Sequence, residues 1–410
     1  MMMNYIWLGF FFLAFIVALV KFFFFGDVAI FQTIGVGIFD SARTGFELSI
    51  GLTGVMTFWL GLVKVGEESG LIGKLSRVLS PFLGKFFPEI PKDHPALGQI
   101  ALNFSANMLG LDNAATPLGL KAMNSLQELN PKKDTASNAQ IMFLVLNTAG
   151  LTLIPVSVFL LRAQAGAANP SDVYLPILLT TFFGTLAGLL MVSVIQRINF
   201  FQPLILIPLF IFVGLLTAMM VGLHYVSQDK LATISSVAGN GLLLLVIFMF
   251  LLSGVIKKMN VFNVFIEGAK EGFKTAISII PYIVAIMVGV AAFRSAGCME
   301  FLIQGLTSLF QLFGWDTKFV PAIPTGIMKS MSGSGAKGMM MEIMKHDGAD
   351  SFVGRVVSIF QGSSDTTIYI LAVYFGSVGI KNTRYALACG LFADLVAVVA
   401  GIVIAYMFFG

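Results

Sequence analysis

Apolar runs of membrane-spanning length alternate along this chain with short polar connectors. They fall near Tyr5–Phe25, Phe46–Val65, Ala139–Leu161, Tyr174–Ile195, Pro203–Tyr225, Gly239–Ile256, Ala276–Phe293, Ser351–Ser377 and Tyr385–Phe409. Each is about long enough to cross the hydrocarbon core as a helix. Leu71–Phe87 and Phe301–Phe313 are shorter and amphipathic, and suit a membrane interface. Two stretches break the pattern, Gln99–Met123 and Val320–Met344. The first contains NFSANMLGLDNAATPLGLK (Asn103–Lys121), with three Asn, one Asp and a proline. As a crossing helix it would bury too many polar groups, and Pro117 would interrupt its hydrogen-bond ladder. As a surface loop it is too apolar. A broken helix or hairpin at membrane depth, with its freed backbone groups facing a wet cavity, satisfies both constraints; a kinked, packed helix is the plainer alternative. PAIPTGIMKSMSGSGAK (Pro321–Lys337) has the same character. Pro321 and Pro324 remove donors, and Gly333 and Gly335 let the chain unwind.

The order of elements repeats. FDSARTGF (Phe39–Phe46) matches IEGAKEGF (Ile266–Phe273), with Gly45 and Gly272 standing 227 positions apart. The same offset aligns Gly70 with Gly297. With small gaps, Asn113 falls opposite Gly335, Thr148–Thr152 opposite Ser363–Thr367, and Tyr174 opposite Tyr385, an ordered series that one chance octapeptide would not produce. Loop charge reverses between the copies. Gly26–Asp40 has no Lys or Arg, whereas Lys74, Arg77, Lys85 and Lys92 follow the next span. In the second copy Lys257, Lys258, Lys270 and Lys274 surround the octapeptide, and only Arg294 occurs from there to Trp315. The positive-inside rule puts the first octapeptide outside and the second in the cytoplasm. The expected fold is therefore an all-α polytopic membrane protein: two inverted-topology repeats, each with a broken re-entrant helix, joined by a linking transmembrane helix.

Composition agrees and narrows the class. The chain is 57% hydrophobic and only 11% charged over 410 residues, with mean hydropathy +0.90, too little charge to cover a soluble surface. Tyr5–Val20 is too long and uninterrupted for a signal peptide and is expected to be the first membrane helix. The net charge of +4 follows from loop asymmetry and does not imply nucleic acid. Cys298 and Cys389 offer neither a disulfide framework nor metal-ligand spacing. His94, His224 and His346 are far apart and are expected in loops. No cofactor or metal is expected, and the absence of a G-x-x-x-x-G-K-[ST] loop excludes an ATPase.

Inverted halves should bring their most polar elements to one midplane site, where half-helix termini offer dipoles to a polar or anionic solute. Substrate contacts are expected from Asn103, Asn107, Asp112, Asn113 and Thr116 in the first broken element, and from Ser332 and Ser334 in the second. Asn147 and Thr148 interrupt one apolar span, and Gln361, Ser363, Ser364 and Thr366 interrupt its equivalent. Asp365, an ionisable group at membrane depth, is the expected ion-coupling residue, with Na+ or H+ as the ion and an ion pair with Lys329 or Lys337 as the structural alternative. Asp394 is a second coupling candidate, with a helix-packing hydrogen bond as its plain role; Glu67 and Glu68 are expected to be solvated. Ser334–Lys337 fits S-x-x-K, but a four-residue match among glycines carries an intramembrane hydrolase only weakly. The protein is expected not to be an enzyme.

These same residues carry a resemblance. FPEIPKDHPALG, NFSANMLGLDNAATPLGLKAM and NPKKDTASNAQ resemble the spore maturation protein A family. FIEGAKEGFKTAISIIPYIVA, FRSAGCME, SGSGAKGM, GADSFVGR, QGSSDTTIYILAVYFGSVGIKNTRYAL and GLFADL resemble the spore maturation protein B family. The chain thus looks like a fusion of the two, with an A-like repeat over residues 1–200, a linking helix within 201–238 and a B-like repeat over 239–410. Both families fall in the nucleoside-recognition, or Gate, group, which is similar to parts of concentrative nucleoside transporters and ferrous-iron transporters. Lys329 and Asp365 stand where that group suggests Arg and Glu, so both charges are kept. The resemblance implies a multi-pass protein of the bacterial cytoplasmic membrane and secondary transport of a small polar solute, nucleoside-like or amino-acid-like. It also implies a role in spore core dehydration in a sporulating host. A ligand-binding scaffold that moves nothing is the alternative. The bilayer is the other expected partner, and a homo-oligomer is compatible with all of this.

Overall fold

The computed structural model describes residues 2–91, 93–110, 112–199, 202–203, 206, 210, 214 and 228–410. The first half runs through α1 (Met2–Phe25), α2 (Ile30–Glu68), α3 (Leu71–Leu83), α4 (Pro95–Met108), α5 (Asp112–Leu129), α6 (Asn138–Thr148), α7 (Val156–Gln164) and α8 (Tyr174–Gln196). The second runs through α9 (Gln228–Ile256), α10 (Val261–Ser295), α11 (Cys298–Leu312), α12 (Ile323–Met331), α13 (Gly333–Asp347), α14 (Phe352–Gly362), α15 (Thr367–Ser377) and α16 (Ala386–Phe409). Seven helical stretches among the described residues are long and apolar enough to cross a membrane. The linking helix expected within 203–225 lies largely outside the described residues.

Four expectations are corrected. The octapeptides are not in loops: Phe39–Phe46 lies inside α2, of 39 residues, and Ile266–Phe273 inside α10, of 35. Charges that read as loop residues form a polar strip along a helix, as the 2.8 Å Arg43–Glu47 pair one turn apart shows. At 1.5 Å per residue α2 is about 58 Å long, well beyond the ~30 Å hydrocarbon core, so that strip need not be buried in lipid. Nor does Pro117 break its helix. It sits inside α5, and the break falls at Gly110, whose φ is +69°. A Cβ there would lie 2.3 Å from the Ile154 carbonyl oxygen, so the turn requires glycine. The glycines of S-x-x-K likewise do not prevent a regular turn, since Ser334 and Lys337 both lie in α13, and His346 occupies that helix's last turn.

α2 and α10 pack antiparallel along most of their length. Gly45 rests on Val284 and Met287, and Gly272 on Met56, Thr57 and Leu60; a Cβ on Gly272 would stand 2.6 Å from the Met56 carbonyl. Small residues here let two long backbones approach closely. α8 and α16 form a second antiparallel pair, with Gly184 on Ala397 and Gly188 on Ala393. α1 packs on α10, and α9 on α2. Gly70 and Gly297, at φ +80° and +89°, start the amphipathic α3 and α11.

Inside this frame α4 folds back on α5, and α12 on α13, as two helical hairpins. The chain leaves the helix at 149–155 between α6 and α7, and at 363–366 between α14 and α15. The halves are also clasped at both ends. At one end Arg162 of α7, fully buried, donates to Asp172 (2.9 Å) and across to Asp350 (3.1 Å), the Ala349 carbonyl (2.7 Å) and Ser358 (3.3 Å). Arg355 donates to the other oxygen of Asp172 at 2.9 Å. At the opposite end the main chain does the joining. The N–H groups of Lys381 and Asn382 donate to the Asp134 carbonyl (2.8 and 2.9 Å), and Ala136 N–H donates to the Asn382 carbonyl (2.9 Å). Arg384 adds bonds to the Ala136 carbonyl and Asn138.

Candidate functional site

The four helix breaks meet. Leu153 N–H donates to the Met108 carbonyl at 2.8 Å, joining the α6–α7 break to the α4–α5 turn, and Asp365 N–H donates to the Thr148 carbonyl at 2.8 Å, joining the two broken spans across the halves. In the second half Gly333 rests on the Thr366 hydroxyl. Interrupted helices leave backbone groups without intrahelical partners, so these segments can be buried only by satisfying each other or a polar solute.

They enclose a cavity of about 90 Å³ whose wall includes Asn107, Asn147, Lys329, Lys337, Gln361, Ser364 and Asp365. It is smaller than the roughly 300–1,000 Å³ of drug-sized pockets and is nearer to a space for a few waters or a very small solute. Both halves supply wall residues. α13 begins at Gly333 on the wall, capped by Ser332, whose hydroxyl accepts from Gly335 N–H at 3.0 Å. α7 begins beside it with Pro155 and Val156, which also line the cavity. The positive ends of two half-helices thus face the same space.

The predicted residues divide into groups. Asn107, Asn147, Gln361, Ser364 and Asp365 line the cavity. Asn107 donates to the Asn147 side-chain oxygen at 2.9 Å, and that oxygen also accepts from the Tyr374 hydroxyl at 3.3 Å. Among the described residues the buried Gln361 side-chain oxygen has no hydrogen-bond partner, and Asp365 accepts from Thr366 N–H at 2.7 Å. Asn103 is fully buried one turn deeper, bonding the Ala115 carbonyl and Tyr374. Ser332 and Ser334 stand 3.4 Å apart at the start of α13. Thr366, buried, precedes α15. Two residues turn away: the Thr148 and Ser363 hydroxyls donate to the Val145 and Phe360 carbonyls of their own helices, so Thr148 contributes its carbonyl only. Thr116 is half-buried in α5. The side chains of Asp112 and Asn113 lie outside the described residues. Asp394 is buried in α16, accepts from Thr367 at 2.8 Å and faces Ser330, Ser364 and Lys329. No ion pair joins Asp365 to Lys337. Among the described residues no group of three or more His, Cys, Asp or Glu could hold a metal.

Sequence reading missed Tyr374, which stacks on Phe143 at 5.6 Å and ties Asn103 to Asn147 across the halves. One hydroxyl in an apolar run gives little signal. It also missed Glu342, buried in α13 with the Ser41 hydroxyl of α2 at 3.3 Å. A carboxylate following three methionines was a readable signal.

A family profile described as Gate, nucleoside recognition, matches residues 49–165 and 276–381, more than half of the chain. Over 159 residues the chain is 42% identical to spore maturation protein A of Bacillus subtilis (strain 168), covering 39% of this chain and 81% of that protein. Over 168 residues it is 44% identical to spore maturation protein B of the same organism, covering 40% of this chain and 92% of that protein. No solved structure matches.

Proposed function

The chain belongs to the Gate, or nucleoside-recognition, family and is a multi-pass membrane protein, and from that premise we propose that it is a secondary transporter. It carries a small polar solute through the cavity between two inverted halves in the bacterial cytoplasmic membrane. The observation that carries this reading is the cavity itself, walled by both halves at the meeting point of four helix breaks. Broken helices around a midplane site are the arrangement in which two membrane-embedded repeats rock about a bound solute.

The exchange of contacts between α2 and α10 supports inversion. Val284 and Met287, which meet Gly45, correspond at the 227-residue offset to Thr57 and Leu60, which meet Gly272. The α4–α5 and α12–α13 hairpins are then re-entrant from opposite faces. Asp394, buried with three hydroxyls around it, and Asp365 are the proposed H+ or Na+ coupling groups. The proposed work is movement without bond-making, so the protein is read as a carrier, not an enzyme.

Reconstituted proteoliposomes test the activity: solute accumulation driven by a proton or sodium gradient is expected, and a solute bound but never moved favours the scaffold. Topology is tested separately with Val28→Cys and Lys257→Cys, at exposed turns before α2 and α10. A membrane-impermeant maleimide should label them from opposite sides, and labelling from one side removes the inversion.

A further inference from the structure

Two opposite charges share the cavity without neutralising each other. Lys337 of α13 and Asp365 of the α14–α15 break both line it, both are half-buried, and no ion pair joins them. At membrane depth, facing charges that can pair normally do, because an uncompensated ion in a low-dielectric setting is costly. Lys329, the other wall cation, also reaches the buried Asp394, and Lys337 has no ion pair to a carboxylate among the described residues. One Asp365 oxygen accepts from Thr366 N–H, and no further hydrogen bond reaches this carboxylate among the described residues.

The same wall carries a third unmet requirement. Gln361 is 3% exposed, lines the cavity, and its side-chain oxygen has no donor. A buried acceptor left unpaired is unfavourable, and a ligand N–H satisfies it. The anion side is furnished independently: α13, 15 residues long, starts at Gly333 on the wall with Lys337 one turn in. A carboxylate there meets the helix's first-turn N–H groups as well as the lysine.

Resting on the transporter reading, we propose that the solute is a zwitterion, a small amino acid. Its carboxylate sits at the start of α13 with Lys337, and its ammonium sits between Asp365 and the Gln361 oxygen. A neutral nucleoside would leave both charges uncompensated, and a simple monocarboxylate would leave Asp365 and Gln361 unmet. The cavity, at about 90 Å³, is below the ~150 Å³ that accommodates benzene in an engineered protein core, so the smallest amino acids fit best. With Asp365 engaged by the solute, Asp394 is left as the coupling carboxylate.

The full-length protein in detergent is titrated with glycine, L-alanine, propionate, ethylamine and uridine, and the same compounds are then offered to proteoliposomes. Glycine or L-alanine is expected to bind at least tenfold more tightly than propionate or ethylamine, and to be transported. Lys337→Gln should cost amino-acid affinity tenfold or more while leaving ethylamine unchanged, and Asp365→Asn should do so while leaving propionate unchanged. The wild-type panel decides the question even if a variant does not fold. Propionate equal to alanine overturns the zwitterion, as does tight binding of uridine alone. Uridine or propionate carried across the bilayer still leaves the transporter reading standing; binding of amino acids with no transport of any compound overturns that reading and keeps the site.

Discussion

The two clasps join the same halves with different chemistry. At one end a guanidinium with no solvent exposure links Asp172 of its own half to Asp350 of the other, with Arg355 on the second oxygen of Asp172. At the other end Asp134, Ala136, Lys381 and Asn382 are joined through carbonyls and N–H groups, and Thr135 and Asn382 form an isolated β-bridge. The ionic clasp concentrates its energy in one irreplaceable side chain, because removing one member leaves the others charged and buried. The main-chain clasp spreads the same task over groups that nearly every residue possesses. One end is therefore sensitive to side-chain identity, and the other to backbone geometry.

Arg162→Ala should have the largest effect. It removes one of two charged partners from the buried Asp172, which keeps Arg355, and it leaves the Ala349 carbonyl without its donor; breaking a buried pair costs about 3–5 kcal/mol. A clear fall in the thermal unfolding midpoint in detergent is expected, and an unchanged midpoint would mean water reaches the site. Because the pair is buried, raising the salt concentration should not weaken it as it would a surface bridge. Next comes Asn382→Pro, which deletes the N–H bonded to the Asp134 carbonyl; a loss of roughly 1–3 kcal/mol is expected. Smallest is Asn382→Ala. The side chain accepts only from Arg384 N–H, so a cost of about 1 kcal/mol or less is expected. An alanine effect as large as the proline effect would show that the second clasp depends on side chains after all.

That contrast also explains what was legible in the sequence. Spans announce themselves by apolarity over about twenty residues, and the repeated order of elements marked the halves. Clasps do not, because Arg162, Asp172, Asp350 and Arg355 are scattered along the chain, the first three reading alone as connector charges and Arg355 as one charge near the start of a span. Charge misled in the octapeptides for the reverse reason. Asp40 and Arg43 look like a loop in a linear reading and fall along a helix wall in three dimensions. Asn107, Asn147, Gln361 and Asp365 could be found because polar residues in apolar runs need a reason. Lys337 entered as an ion-pair partner and as the lysine of S-x-x-K, since its lack of a pair with Asp365 is a fact of folding that spacing does not encode. Thr148 and Ser363 were over-read, because a hydroxyl in a helix can bond its own preceding turn at no cost to the membrane.

The antiparallel pairing of α2 with α10 and of α8 with α16 has a consequence for how the polypeptide is assembled. The packing of α2 on α10 crosses between the halves along most of both helices, so the halves are held together by contacts as well as by the covalent chain. Two chains made separately, 1–200 and 225–410, should find each other in the bilayer and co-purify as a stoichiometric complex. Stoichiometry is what the single chain guarantees: one copy of each half is made for every copy of the other, inserted together, with neither left to expose its packing face to lipid.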